Sequence, residues 1–401
     1  MKPTQRTLGW VAAALLLTAA AAEQAGAIPA FARKYRTSCN TCHQAFPKLK
    51  EFGEEFAGNG FVWEGQEPSR AVLDTGDELL QLQREVPLAF RLDGYARFLP
   101  DAGPGEAKND LQTPYLLKIL SAAPITDNVA YYFYFFMDER GHVEGVEDAY
   151  AFFKEPLGLP VGAAVGQFQV SDPLFKRELR LSFEDYEIYR TKVGDVPTAL
   201  TYDRGIMLSG TSPLGCDLFL EIVNGNGIGG ADGKRQFDSD GYKNLFGRWS
   251  HGFGAVRTGA FAYWGKSEDT QTGRENEMLQ VGPDVTVATG PLEVNVQYLW
   301  RFDDNPYYYP TAAAEEVTTH GGFAEVMYTP EGDRSRWLLV GLYNRRTSDV
   351  GDSYAGEDLE YQSLGLTYTY LLARNFRLMA EYNYDIEGEA SRVTAGFASA
   401  F

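Results

Sequence analysis

The sequence is poor in the residues that staple small exported folds and in the long apolar runs that cross membranes as helices. It has three cysteines and four histidines in 401 residues. Cys39 and Cys42 stand three positions apart and Cys216 stands alone, so a disulfide framework is excluded and Cys216 reads as a free thiol. Beyond the N-terminus no segment has the roughly 18 consecutive apolar residues of a membrane helix, which excludes a helical membrane protein. Positive charge is scarce too: 36 Lys and Arg against 55 Asp and Glu leave a net charge of −19. That balance argues against nucleic acid as a partner and for cations or basic proteins. None of these absences excludes a β-barrel.

Residues 1–27 read as a secretory signal. Lys2 and Arg6 precede an apolar core from Trp10 to Ala22, and Ala25-Gly26-Ala27 forms a small-residue cleavage site. Ile28 is then the expected mature N-terminus. Residues 28–61 read as a small helical unit, in which Phe46, Leu49, Phe52 and Phe56 recur at near-helical spacing around Pro47 and Gly58-Asn59-Gly60 is a stop. One short helix is expected around residues 39–43 and a second after them. Residues 62–85 are polar and charged and read as a linker, which fully extended could reach on the order of 80 Å.

From 86 to 401 the dominant signal is period two. Leu292, Val294, Val296, Tyr298, Trp300 and Phe302 share one face, and Glu293, Asn295, Gln297 and Arg301 the other. Such strands are apolar on one side only. About 16 of them are expected, near 88–98, 113–122, 129–138, 146–154, 161–170, 199–207, 216–224, 242–250, 255–265, 277–286, 292–302, 321–329, 336–346, 360–371, 375–385 and 391–401. Short connections at 124–128, 155–160, 252–253, 289–291 and 373–374 alternate with longer, acidic ones at 171–198, 225–241, 266–276, 303–320 and 347–359. An even strand number with turns at one end and loops at the other, closing on Phe397 and Phe401, predicts an all-β transmembrane barrel, with the long loops outside and the turns periplasmic. A secreted β-sandwich or multi-domain soluble protein is the competing reading.

Cys39-Asn40-Thr41-Cys42-His43 has the C-x-x-C-H spacing of c-type haem attachment. Two thiols three positions apart can each form a thioether with a haem vinyl, and the next imidazole can reach the iron. A bare disulfide and half of a zinc site are the alternatives, but zinc would need a second ligand pair, and no suitable one follows. The predicted cofactor is therefore one haem c on Cys39 and Cys42 with His43 as proximal ligand. Between Ile28 and Glu85 there is no Met, and no His besides His43, so a sixth ligand must come from the barrel or be absent. Strand parity puts Met207, Met327 and Met379 in the lumen near the short-turn end and Met278 near the other mouth. Filling space is the ordinary role of each. His142, His251 and His320 fall in or beside connections, where a surface polar role is the ordinary one. Asp138, Glu139, Glu144, Glu147 and Asp148 crowd one rim, as do Glu268, Asp269, Glu275, Glu277, Asp303, Asp304, Asp349, Asp352, Glu357 and Asp358. Such carboxylates suit divalent cations, though a solvated porin rim looks much the same.

Ile28-Pro29-Ala30-Phe31-Ala32-Arg33, the C-x-x-C-H segment, Phe46-Pro47-Lys48-Leu49, Phe52-Gly53 and Asn59-Gly60-Phe61 resemble the fused outer-membrane cytochrome-porins of iron-oxidising bacteria. Ser171-Asp172-Pro173-Leu174-Phe175 and Thr201-Tyr202-Asp203-Arg204-Gly205 look similar to the same family. The resemblance implies oxidation of extracellular Fe(II), with the electron passed through the haem to a periplasmic cytochrome. Because the apolar band of such a barrel is about 25 Å tall, a conduit of this kind requires the haem unit to plug the lumen. A diffusion porin whose haem module docks periplasmic redox partners is the leading alternative, and a soluble secreted haem carrier or sensor is the third.

Overall fold

A computed structural model describes residues 30–63, 65, 72–73, 75–77, 79–80, 82–83, 86–103, 105–350 and 359–401. The expected signal segment 1–27, Ile28 and Pro29, and the rim residues Asp352, Glu357 and Asp358 lie outside the described residues, as does much of the expected linker. The N-terminal module comprises helix α1 (Ala30–Tyr35), the short strands β1 (His43–Ala45) and β2 (Lys48–Leu49), and helix α2 (Glu51–Gly58). A small hairpin, β3 (Val72–Leu73) with β4 (Leu82–Gln83), follows it.

Sixteen antiparallel strands then form a closed barrel. In chain order they are β5 (Leu88–Phe98), β6 (Asn109–Thr126), β7 (Val129–Glu139), β8 (Gly145–Lys154), β9 (Gly162–Gln169), β10 (Tyr202–Thr211), β11 (Cys216–Val223) and β12 (Asn244–Phe253), continuing with β13 (Val256–Asp269), β14 (Arg274–Thr289), β15 (Leu292–Asp303), β16 (Val317–Tyr328), β17 (Trp337–Ser348), β18 (Tyr361–Ala373), β19 (Phe376–Asp385) and β20 (Ala390–Ala400). Each pairs with its sequence neighbour, and β20 closes on β5 with Ala400 opposite Arg91 and Val393 opposite Phe98. The terminal residue continues the seam, because Phe401 and Phe90 exchange two backbone hydrogen bonds of 2.6 and 2.8 Å. Closure leaves no free edge.

Period two places the side chains. On β14 and β15, Leu279 and Trp300 are about 40 % exposed on the outer face, whereas Gln280 and Arg301 are almost fully buried inside. The exterior is therefore apolar and the interior polar and charged, as a barrel in lipid requires.

Two expectations about connections are corrected. The segment 266–276 is not a long loop: β13 and β14 stay paired out to Asp269 and Arg274, leaving 270–273 as the turn. The segment 171–198 does not extend outward. The loop 170–201 folds into the lumen and carries most of its core, where Tyr186 stacks on Phe323 with ring centres 4.0 Å apart and Tyr189 and Ile188 pack beside Phe246, Leu299 and Leu342. The wall holds its backbone: Glu381 accepts from the N–H groups of Phe183 and Glu184 at 2.6 and 3.0 Å, Asn344 donates to the Asp185 carbonyl at 2.9 Å, and Arg377 donates to that of Leu181 at 3.3 Å. Arg301 donates to the carbonyls of Thr191 and Thr198 at 3.1 and 2.9 Å while its other nitrogens grip Asp303 at 2.6 and 3.0 Å.

Arg301→Met leaves the buried Asp303 carboxylate with only the Asn276 amide as donor and no cation, and takes the Arg301 donor from two loop carbonyls. A loss of about 3–5 kcal/mol is expected, read as a lowered urea midpoint for the heat-modifiable folded band on gels; an unchanged midpoint contradicts it.

Candidate haem site in the barrel lumen

The C-x-x-C-H segment is held by its own backbone. Residues 39–41 make a single 3-10 turn, and β1 and β2 pair with His43 opposite Leu49. A helix around the motif was expected; instead the next helix begins at Glu51, because residues 43–49 are used in this hairpin. Phe46 and Leu49 thus belong to the hairpin, not to the helix that carries Phe52 and Phe56. The hairpin has a chemical consequence. It brings the Pro47 carbonyl within 3.0 Å of His43 Nδ1, where the ring N–H can donate. With Nδ1 so engaged, Nε2 carries the free lone pair, the arrangement that orients metal-binding imidazoles.

Gly53 has to be glycine, since a Cβ there would lie 2.3 Å from the Cys42 carbonyl oxygen. That oxygen accepts the Lys50 N–H at 2.8 Å, which ties α2 to the motif. Burial pushes the thiols of Cys39 and Cys42 above their ordinary value and pushes the His43 imidazole below its own, despite its backbone hydrogen bonds. All three groups are thus held neutral near pH 7. All three cysteines are free, and Cys216 lies elsewhere, on β11 with Sγ 3.6 Å from His251 Nδ1.

The module is seated at the short-turn end of the lumen. Lys48 pairs with Glu293 on β15 at 2.8 Å, Lys50 with Asp333 at 2.7 Å, and Gln44 donates to Thr329 at 2.8 Å. Its own aromatic cluster gathers Phe31, Tyr35, Phe52, Phe56, Phe61 and Trp63, and Phe61 stacks on Tyr132 of β7 at 4.7 Å. Ala45 packs with Met327, Leu181 and Leu338.

Between module and loop 170–201 lies a cavity of about 1580 Å³, larger than the roughly 300–1,000 Å³ of ordinary small-molecule sites. Cys39, Cys42 and His43 line it from the module, and Leu174, Phe175 and Lys176 from the loop. From the wall come Arg91, Lys118, Tyr132, Phe152, Met207, Arg248 and Met327. Two of the three methionines therefore share the cavity with His43. Met207 packs against Phe152 and Ala164, whereas Met379, buried on β19, is not among the lining residues. His320 turns to Tyr298, with Nδ1 2.7 Å from its hydroxyl, and His142 bridges to Glu139 at the long-loop end.

The cations around the cavity are what sequence reasoning missed. Lys118 pairs with Glu178 of the loop at 2.9 Å, and Arg248 with Asp284 at 2.6 Å. Lys176 lies between Asp172 and Asp148, the latter at 3.5 Å. Their only sequence signal is inward strand parity for Lys118 and Arg248 and, for Lys176, a loop rich in aromatic residues. Rim carboxylates are largely engaged as well: Asp303 with Arg301, Glu275 with Lys266 at 2.7 Å, and Glu147 with the Tyr134 hydroxyl at 3.1 Å. Among the described residues no group of three His, Cys, Asp or Glu side chains is placed to hold a metal ion.

No family model and no curated protein matches the sequence. Solved structures do. An anion-selective porin from Comamonas acidovorans matches with a TM-score of 0.57 and 12 % identity, over 79 % of this chain and 99 % of that one. The outer-membrane channel DcaP of Acinetobacter baumannii matches at 0.55 and 15 %, over 79 % and 97 %, and Salmonella typhi OmpF at 0.56 and 12 %, over 79 % and 97 %. The fold is porin-like. At these identities the likeness concerns the fold alone.

Two outcomes follow from this geometry. Burial raises the Glu178 carboxyl, but the Lys118 ammonium and the Arg180 guanidinium outweigh it and hold it down at about 2, against an ordinary 4.5. A depressed carboxyl stabilises the folded state above its unfolded value and loses that contribution as pH falls through the folded one. Docking of the loop should therefore weaken between pH 4.5 and 2, read as pepsin cleavage within 170–201, and Glu178→Gln should flatten this dependence; an identical profile in the variant opposes it. Secondly, covalent haem attachment predicts a haem-dependent peroxidase stain of the native chain on a denaturing gel and none for a Cys39→Ala, Cys42→Ala chain; a native chain without stain opposes it.

Proposed function

We propose that this chain is an outer-membrane protein of a Gram-negative bacterium that carries one haem c in the lumen of its porin-like barrel and transfers electrons across that barrel. The observation that carries this reading is the opening of the C-x-x-C-H loop onto the lumen cavity with His43 Nδ1 already bonded to Pro47. Cys39 and Cys42 would hold the group by thioethers, and His43 Nε2 would face the iron. When bound, haem c supplies a one-electron iron couple. Phe152, Leu174 and Phe175 offer it apolar walls, and Arg91, Lys118 and Lys176 offer cations to its carboxylates. Met207 and Met327 are the wall residues available for a distal role.

Extracellular Fe(II) as donor and a periplasmic cytochrome as acceptor rest on the resemblance of the N-terminal motifs. The exposed Glu51, Glu54 and Glu55 of α2, at the short-turn end, would suit a basic partner on that side. The likeness to porins favours a second reading, a diffusion channel whose haem module docks periplasmic redox proteins.

Anaerobic mixing of the oxidised protein with Fe(II) near neutral pH separates the readings. Conduit function predicts haem reduction within minutes and low conductance in planar bilayers. Absence of reduction removes Fe(II) as donor, and porin-sized conductance supports the channel.

A further inference from the structure

At the long-loop end a second cavity, of about 490 Å³, lies between the barrel wall and loop 170–201; Cys39, Cys42 and His43 do not line it. Its size is that of a small-molecule site. Five guanidinium groups line it, those of Arg97, Arg140, Arg180, Arg190 and Arg392, against the four carboxylates of Asp110, Glu184, Asp185 and Glu187. The excess is positive in a chain whose net charge is −19.

The carboxylates are already engaged. Glu184 binds Arg392 and accepts the Tyr361 hydroxyl at 2.6 Å, and Asp185 binds Arg177 and, at 3.6 Å, Arg180. Glu187 pairs with Arg190 at 3.2 Å, and Asp110 accepts from Gln112 at 2.8 Å. Arg97 is left out: among the described residues no carboxylate pairs with it, and its buried Nε has no acceptor. The Nε atoms of Arg180 and Arg392 are likewise buried without an acceptor. Three buried Nε–H donors around one cavity with nothing to bond, one on the unpaired Arg97 and two on arginines whose other nitrogens are engaged, are a cost the fold does not need. Arg392 is also held in place, its guanidinium 5.4 Å from the centre of the Phe183 ring, which packs on Tyr115 and Tyr95. A forked, preorganised guanidinium set matches the two-oxygen edge of a carboxylate or phosphate.

We propose that this vestibule is a binding subsite for a small oxyanion, a carboxylate- or phosphate-bearing solute, gripped by Arg97 with Arg180 and Arg392. Arg180 also lines the haem cavity, but Arg97 and Arg392 do not, so variants of Arg97 test the subsite apart from the haem reading.

Calorimetric titration of the full-length protein in detergent micelles tests it, with citrate in one series and inorganic phosphate in another to separate an organic acid from phosphate. Saturable binding of at least one anion is expected, with Kd at or below about 1 mM. Arg97→Gln should weaken it about tenfold, the loss of one charged hydrogen bond. Arg97→Lys, which keeps the charge but not the fork, should recover part of that loss. Asp110→Asn, at the exposed rim, should tighten binding by removing a negative neighbour. Heat-modifiable migration on gels certifies that each variant is folded. The proposal is overturned if neither anion gives saturable heat, if folded Arg97→Gln binds as tightly as the native chain, or if Asp110→Asn does not tighten binding.

Discussion

A sheet bathed in hydrocarbon cannot leave an edge unpaired, and the seam between β20 and β5 is where this chain meets that condition. The first and last barrel strands lie some three hundred residues apart, so nothing local brings them together. Once they join, every strand has two partners and the apolar residues of each share one outer face. The polar residues are then turned into a common interior. That interior cannot stay a loose set of charges, because buried ions are stable only when paired and hydrogen-bonded.

The loop 170–201 is the answer built into the chain. It brings Glu178 to Lys118, Asp185 and Glu184 to the arginines, and bare carbonyls to Arg301 and Arg377. In exchange the wall gives the loop what an isolated segment of this length lacks, partners for its backbone and an aromatic bed for Tyr186 and Tyr189. The loop in turn divides the lumen. The arginine-lined vestibule lies beside it at the long-loop end, and the cavity facing Cys39, Cys42 and His43 is closed from the other side by the N-terminal module.

The module depends on the barrel as the loop does. Six aromatic side chains and two short helices are too small a core for a stable independent unit. Phe61 on Tyr132, Ala45 against Met327, and the ion pairs of Lys48 and Lys50 extend that core into the wall. The cavity that Cys39, Cys42 and His43 face is thus shared between two parts of the chain. The module contains no second histidine or methionine, and two methionines stand on the wall of the cavity it faces.

Much of this could be read from the residues in order. Alternation has period two whatever the neighbours are, so all sixteen strands were legible; the segment 292–302, for example, matches β15 within a residue. The C-x-x-C-H spacing was equally plain, since its chemistry lies within five residues. What could not be read depends on contacts across long separations. Glu381 accepts the N–H of Phe183 from 198 positions away, and no local pattern distinguishes a loop that will be gripped in this way from one that will project into solvent. The same holds for Met379, which shares its parity with Met207 and Met327 but not their cavity, and for Arg97, whose lack of a partner exists only once loop and wall are assembled. Local chemistry therefore determined the strands, the outward face and the C-x-x-C-H spacing. Only tertiary structure decided what fills the lumen, because that depends on which charges meet inside the closed wall.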